Sequence, residues 1–426
     1  MLNSLIILIG KAFVKLSVTL NLGSGSTWPG HVALKLNNNF IQEMSNINRV
    51  KIILVVGTNG KTTTGRLIQE ILTKNNIRVF QNNSGANLLN GIASTLIQEA
   101  RINKKIKSEF AIFEIDENSL PLVLNEISPD YLVILNLFRD QLDRYGEIDT
   151  IAKKWKESIS KLDNHTKLIL NADDPLIAFL GDNTNLETKY FGLNEENSDQ
   201  NQHASDSAYC PNCGTKLAYE ATYFSHLGRW RCLNCSFSRP KIANFKDLSY
   251  PLLGTYNKYN TLAAALTTES IGLNLDKINL ALKEFKPAFG RQEISEYKNK
   301  KVQFFLSKNP TSFNQSLCTA LENGAKNFLI ILNDRIPDGK DVSWIWDFDI
   351  NGIKNKNITL SGDRVFDLAL RLKYEGFKEE FSIKTNLKQA INFAIEKTKE
   401  NETLYVLPTY SAMLEARKII TGRKIL

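Results

Sequence analysis

At 426 residues the chain is long enough for two or three domains, each with its own core. It is 42% hydrophobic and 23% charged, as in globular proteins, and five cysteines are too few for a disulfide scaffold of this length. The net charge of +8 suits anionic ligands (a nucleotide, a uridylylated sugar, nucleic acid or an anionic membrane face), and no stretch approaches the ~20 apolar residues of a membrane span.

Residues 1–48 read as a helical segment. Leu2–Leu20 has the spacing of an amphipathic helix, either docked on the body or touching a membrane surface. No basic residue precedes the apolar run Leu5–Ile9 and no small-residue cleavage site follows it, which argues against a signal peptide. Gly23-Ser24-Gly25-Ser26 reads as a flexible break and Trp28-Pro29-Gly30 as a turn.

Residues 49–289 form the central domain. Lys51–Val56 is a short β-branched run, expected as a buried parallel strand. Gly57-Thr58-Asn59-Gly60-Lys61-Thr62-Thr63 follows and leads into a helical pattern over Thr62–Lys74. The two glycines permit a backbone path that turns successive N–H groups toward phosphate oxygens. Lys61 can reach the β- and γ-phosphates and the Thr62 hydroxyl can ligate Mg²⁺. Val55 stands where the first glycine of the common longer phosphate loop would be. Further strands are expected at Ile77–Phe80, Phe110–Ile115, Tyr131–Leu135, Lys167–Leu170 and Lys189–Phe191. Helices are expected at Leu89–Ala100, Ser119–Ile127, Ile148–Lys161, Pro175–Leu180 and Asn257–Ile271. Such alternation predicts βαβ units and a mostly parallel sheet, with ligands at the carboxyl ends of its strands.

Phe110–Ile115 runs into Asp116 and Glu117, so one strand ends in three carboxylates. Glu114 suits Mg²⁺, directly or through water, together with Thr62; Asp116 and Glu117 suit the cap of the next helix. After a polar loop at Asn194–Ser207, an insertion over residues 205–240 carries Cys210, Cys213, Cys232 and Cys235 as C-x2-C, an 18-residue gap, and C-x2-C. Two such knuckles close a tetrahedral four-thiolate shell for structural Zn²⁺, with iron the alternative. Lys216, Arg229, Arg231 and Arg239 read as a solvated basic face, His226 as a surface residue, and Cys318 as a small buried one.

Residues 290–426 repeat the alternation as a smaller Rossmann-like α/β domain. Its strands are expected at Val302–Leu306, Asn327–Leu332, Asn357–Leu360 and Thr403–Leu407. Its helices are expected at Ser312–Leu321, Val365–Leu372, Leu387–Lys399 and Met413–Ile420.

The shortened phosphate loop, the Glu114-x-Asp116-Glu117 strand end, Asn171-Ala172-Asp173-Asp174-Pro175, Gly254-Thr255-Tyr256-Asn257-Lys258-Tyr259-Asn260 and Phe289-Gly290-Arg291-Gln292-Glu293 resemble the successive signatures of the Mur ligases and folylpolyglutamate synthases. Those enzymes form amide bonds through acyl phosphates. The four-cysteine insertion and the C-terminal pattern narrow the likeness to the MurT family of synthetase subunits. Supporting stretches are Asn82–Asn87, Asn136–Glu147 and Asp338–Asp347.

The resemblance implies a Mur-ligase-like fold and ATP binding that includes Asn257, Asn260 and Arg291. It implies amidation of the D-glutamate α-carboxylate of lipid II at the cytoplasmic face of the membrane, in peptidoglycan biosynthesis. It also implies a GatD-like glutaminase partner in a heterodimer, with Asp341 completing the partner's triad. A carbamylated lysine is common in Mur ligases, and Lys153, Lys154 and Lys156 are in the region. Trp344 and Trp346 read equally as interface anchors or core. Four cysteines stand in metal-binding pairs and no histidine stands in a dyad context, so the chain itself is not expected to hydrolyse glutamine. Competing readings are a Mur- or folate-type amino acid ligase needing no partner, and a nucleic-acid-binding ATPase. The second lacks any aromatic-plus-basic stacking pattern.

Overall fold

A computed structural model describes residues 2–19, 27–82, 86–139, 148–182, 184–195, 207–287, 291–378 and 381–422. Outside these lie the expected break at 23–26, Asn83-Ser84-Gly85, residues 140–147 of the Asn136–Glu147 stretch, most of the 194–207 loop, and Phe289-Gly290. The chain divides into two compact units, the second comprising mainly residues from Lys286 onward together with Leu252–Tyr256.

In the first unit, β1 (Lys51–Val56), β2 (Val79–Gln81), β3 (Phe110–Ile115), β4 (Tyr131–Ile134), β5 (Lys167–Asn171) and β6 (Glu187–Phe191) form one sheet in the order β2-β3-β1-β4-β5-β6. Every pairing is parallel. Both faces are covered, which is why β1 and β3 are apolar along almost their whole length instead of alternating. Strand order reverses at β1, whose last residue, Val56, sits level with Ile115 of β3 and Ile134 of β4. A crevice at this topological switch point is where ligands of open α/β sheets bind, and the phosphate loop leaves β1 there.

Three helices precede the sheet: α1 (Leu2–Thr19), α2 (Trp28–Leu36) and α3 (Phe40–Asn48). The expected turn at Trp28-Pro29-Gly30 is instead the first turn of α2, a position where proline is well tolerated because its missing N–H has no helical acceptor. Gly30 lets α2 lie directly on α5 (Leu89–Glu99), since a Cβ there would fall 1.8 Å from the Asn90 carbonyl oxygen.

The insertion contains a hairpin, β7 (Ala218–Phe224) and β8 (Leu227–Arg231). In the second unit the order is β13-β12-β11-β14-β10-β9, with β9 Arg291–Tyr297, β10 Lys300–Phe305, β11 Asn327–Ile331, β12 Asn357–Ser361, β13 Phe381–Ile383 and β14 Thr403–Pro408. This sheet is mixed, because edge strand β9 runs antiparallel to β10. Their connection is the two-residue turn Lys298-Asn299, both at positive φ (49° and 60°), as a tight hairpin demands.

Candidate active site

The phosphate loop is held open by its neighbours. Gly57 and Gly60 adopt φ of +145° and +93°, and a Cβ on Gly60 would fall 2.1 Å from Asn260 Oδ1. The segment after β4 anchors the loop from one side. Thr58 N–H donates to the Asn136 carbonyl (3.1 Å) and Asn59 N–H donates to Asn136 Oδ1 (2.9 Å). The Thr58 hydroxyl accepts from Phe138 N–H at 3.0 Å. α4 (Lys61–Lys74) then begins at Gly60 without any side-chain cap, so its positive end is presented as an anion site. Thr63 is buried within its first turn.

Lys61 Nζ donates to the Gly57 carbonyl at 2.5 Å and pairs with Glu117 Oε2 at 3.1 Å. From the sequence, Glu117 is expected to cap the next helix. The cap is Asp116 alone, which accepts from Asn118 N–H, while Glu117 is buried and faces Lys61. Trp155 fixes Glu117 from behind, its indole N–H donating to the Glu117 carbonyl at 2.9 Å. Glu114 has both oxygens aimed: Oε2 accepts from the Thr62 hydroxyl (2.6 Å) and Oε1 from Gln81 Nε2 (2.7 Å). Asn82 clasps the Glu114 backbone, accepting from its N–H at 2.8 Å and donating to its carbonyl at 3.0 Å. A hydroxyl and a carboxylate in contact at the end of a phosphate loop are a hard-oxygen donor pair suited to Mg²⁺.

The two asparagines of the Thr255–Ile271 helix reach the same loop. Asn260 Nδ2 donates to Asn257 Oδ1 at 3.0 Å, and Asn260 Oδ1 accepts from the Thr64 hydroxyl at 3.3 Å. Arg291 opens β9 in the second unit, paired with Phe305. Lys153 and Lys154 are exposed, whereas Lys156 donates to the Phe179 carbonyl at 2.9 Å and lies over its ring. Desolvation lowers the Lys156 pKa.

The four cysteines converge, with all Sγ atoms within 4.8 Å of one another and the Cys210–Cys235 and Cys213–Cys232 contacts at 3.5 Å. Thiolates around a tetrahedral Zn²⁺ with ~2.3 Å bonds lie about 3.8 Å apart, so the cluster has the dimensions of such a shell. Two expectations for this insertion are corrected. Arg239 is no solvated base: it pairs with Asp173, which is fully buried and also accepts from Tyr259 Oη (2.6 Å) and Leu193 N–H (2.8 Å). Burial pushes the Asp173 carboxyl upward, opposed by Arg239 and these donors. His226 is no surface residue either. It is buried 4.9 Å from the Phe138 ring, with Nε2 3.3 Å from Asp174 Oδ2. Asp174 in turn caps the Pro175–Leu180 helix and accepts from Leu137 N–H at 2.9 Å. The insertion is thus docked on the Asn171–Pro175 motif and on the segment that anchors the phosphate loop.

In the second unit Asp341 is exposed, and the Ser343 N–H bonded to its Oδ1 at 2.8 Å holds its carboxyl below the usual carboxylate range. It lines a depression of about 320 Å³ with Lys340, Trp346, Arg364 and Leu370. The two tryptophans divide: Trp344 packs edge-on to Phe348 in the core, and Trp346 is 48% exposed. Cys318, expected inside, is exposed with Sγ on Glu322.

Residues 55–268 match the Mur ligase middle domain and residues 306–413 match the MurT ligase C-terminal domain. A pseudomurein peptide ligase type C from Methanothermus fervidus has the same fold, with a TM-score of 0.65 at 22% identity, covering 92% of this chain and 84% of that one. The fold and these matches define a ligase of the Mur class. Two curated relatives carry the name lipid II isoglutaminyl synthase (glutamine-hydrolyzing) subunit MurT. The Staphylococcus aureus (strain COL) protein is 33% identical over 411 residues, 91% of each chain. The Streptococcus pneumoniae (strain ATCC BAA-255 / R6) protein is 33% identical over 436 residues, 96% of this chain and 95% of that one. The chain belongs to the MurT family.

Proposed function

We propose that this chain is the ATP-dependent synthetase subunit that converts the D-glutamate of the lipid II stem peptide to D-isoglutamine in peptidoglycan biosynthesis. The α-carboxylate attacks the γ-phosphorus of ATP, releasing ADP and leaving an acyl phosphate. Ammonia then attacks the acyl carbon and inorganic phosphate departs. Phosphoryl transfer requires positioning and charge neutralisation more than covalent help. Lys61 supplies a cation, the loop and helix N–H groups cradle phosphate, and Asn257 and Asn260 line the nucleotide site beside the loop. Thr62 and Glu114 would hold Mg²⁺, which would supply charge neutralisation for the transferring phosphoryl group. The observation that carries this reading is the Thr62–Glu114 contact at 2.6 Å beside a lysine of the phosphate loop, in a chain of the MurT family.

The relatives' printed name, subunit MurT of a glutamine-hydrolyzing synthase, supports a second subunit as the ammonia source, which we take to be a GatD-like glutaminase. Asp341, exposed and ionised at the rim of a depression beside Trp346, suits a third-member aspartate that orients the partner's histidine and stabilises its imidazolium. The four thiolates would hold a structural Zn²⁺, leaving no open position for substrate. The test is amidation of lipid II by the chain with ATP and free ammonia, then with glutamine plus the glutaminase. Absence of amidated product with ammonia overturns the proposal.

A further inference from the structure

No helix among the described residues is long and apolar enough to cross a membrane. Yet α1 turns an apolar side outward. Its buried side, Ile6, Ile7 and Gly10, packs on the body, with Gly10 against Ile97 and Pro29. On the other side Leu2, Leu5, Leu8, Phe13 and Leu16 are each 49–56% exposed. Next to Pro29, Trp28 of α2 is 74% exposed, the kind of amphipathic ring that settles at a bilayer's headgroup level. Charge points the same way. The first 42 residues contain Lys11, Lys15 and Lys35 and no aspartate or glutamate, the first acid being Glu43. Lys15 and Lys35 are exposed beside the apolar side chains.

We propose that the α1–α2 surface docks on an anionic phospholipid bilayer, lying in the interface with Leu5, Phe13, Leu16 and Trp28 inserted and Lys15 and Lys35 on lipid phosphates. A helix with one apolar and one cationic side binds in this way without spanning. The two helices are bolted to the catalytic unit. α2 lies on α5 through Gly30, whose N–H donates to Ser94 Oγ at 2.8 Å. Lys11 Nζ donates to the Gln98 carbonyl at the far end of α5. α5 begins just beyond Asn87, whose carbonyl accepts from Asp116 N–H beside Glu114. The 11-residue α5, about 16 Å long, therefore carries both helices of the docking surface and, just before its start, the contact to the strand end that bears the carboxylates. For a substrate whose lipid stays in the bilayer, this geometry brings the stem peptide to the site; that consequence rests on the function proposed above, while the surface does not.

The experiment is vesicle co-sedimentation of the full chain with phosphatidylglycerol or phosphatidylcholine vesicles. Wild type should bind the anionic vesicles and release them at high salt. Lys15→Gln/Lys35→Gln should weaken binding about fivefold per lysine. Leu5→Ser/Phe13→Ser/Leu16→Ser, all solvent-facing changes, should weaken it by roughly tenfold or more. Wild type that ignores both vesicles, or variants that bind as wild type does, would overturn the proposal. So would an apolar variant that only changes the sedimentation coefficient of the protein alone, which would identify a second copy as the occupant. Turnover on a lipid-free disaccharide pentapeptide separates the two claims. The triple variant should keep that turnover and lose it on lipid II in vesicles, whereas wild type inactive on both substrates would count against the reaction instead.

Discussion

Arg239→Met is the most revealing perturbation of the insertion. The guanidinium binds the fully buried Asp173 carboxylate and donates to the Leu193 carbonyl at 2.6 Å. Removing one member of a buried pair leaves an uncompensated charge, at a cost of about 3–5 kcal/mol near neutral pH. The sign of the pH dependence follows from Asp173. Its folded-state pKa is already raised by burial, and losing Arg239, which lowers it, raises it further. A carboxyl with a raised folded pKa stabilises the fold fully below its unfolded pKa and loses that contribution as pH climbs to the folded value. The deficit of Arg239→Met relative to wild type should therefore be largest at about pH 7.5 and shrink toward about pH 5, by at most ~1.4 kcal/mol per pH unit. Urea-unfolding midpoints at the two pH values measure this. Adding Asp173→Asn to the variant should recover part of the loss, since the buried charge is then gone. A single-variant deficit below about 1 kcal/mol, or one that is the same at both pH values, would refute the reasoning.

Other consequences are more local. Gly60→Ala places a Cβ against Asn260 Oδ1 at a φ of +93°; it should cost about 1–2 kcal/mol and weaken ADP binding at least tenfold, read by calorimetry. Asp341→Asn should retain ammonia-dependent synthesis and lose most glutamine-dependent synthesis; equal loss of both would make Asp341 a structural residue. Chelation should loosen the β7–β8 hairpin and expose it to protease while β11 stays protected in hydrogen exchange, and a hairpin unchanged by chelation would argue against the metal.

The strands of the first sheet were legible because parallel strands buried on both faces are continuous apolar runs: Lys51–Val56 and Phe110–Ile115 stand where the sequence places them. Edge strand β9 was not legible, because Arg-Gln-Glu-Ile-Ser-Glu-Tyr is largely polar with only Gln292 buried. Motif and strand context place Lys61, Thr62 and Glu114 at neighbouring strand ends, and the fold brings Thr62 and Glu114 into contact. Glu117 was missed, since a carboxylate after a strand looks like a cap until tertiary structure brings the lysine to it; its place at the end of the same strand was the available signal. Arg239 and His226 were misread because the sequence does not say which side of a small insertion faces the body. Their neighbours in the fold, Asp173 and Asp174, are separated from them by more than fifty positions.

In the proposed reaction the phosphate loop activates a carboxylate for attack by external ammonia. ATP turnover coupled to lipid II amidation, with free ammonia and no second subunit, tests it most directly. One ADP should be released per amidated D-glutamate in the presence of Mg²⁺, and both products should be abolished by Lys61→Ala and by Glu114→Ala. Amidation that ignores ATP, or ATP turnover requiring an amino acid in place of ammonia, would contradict it.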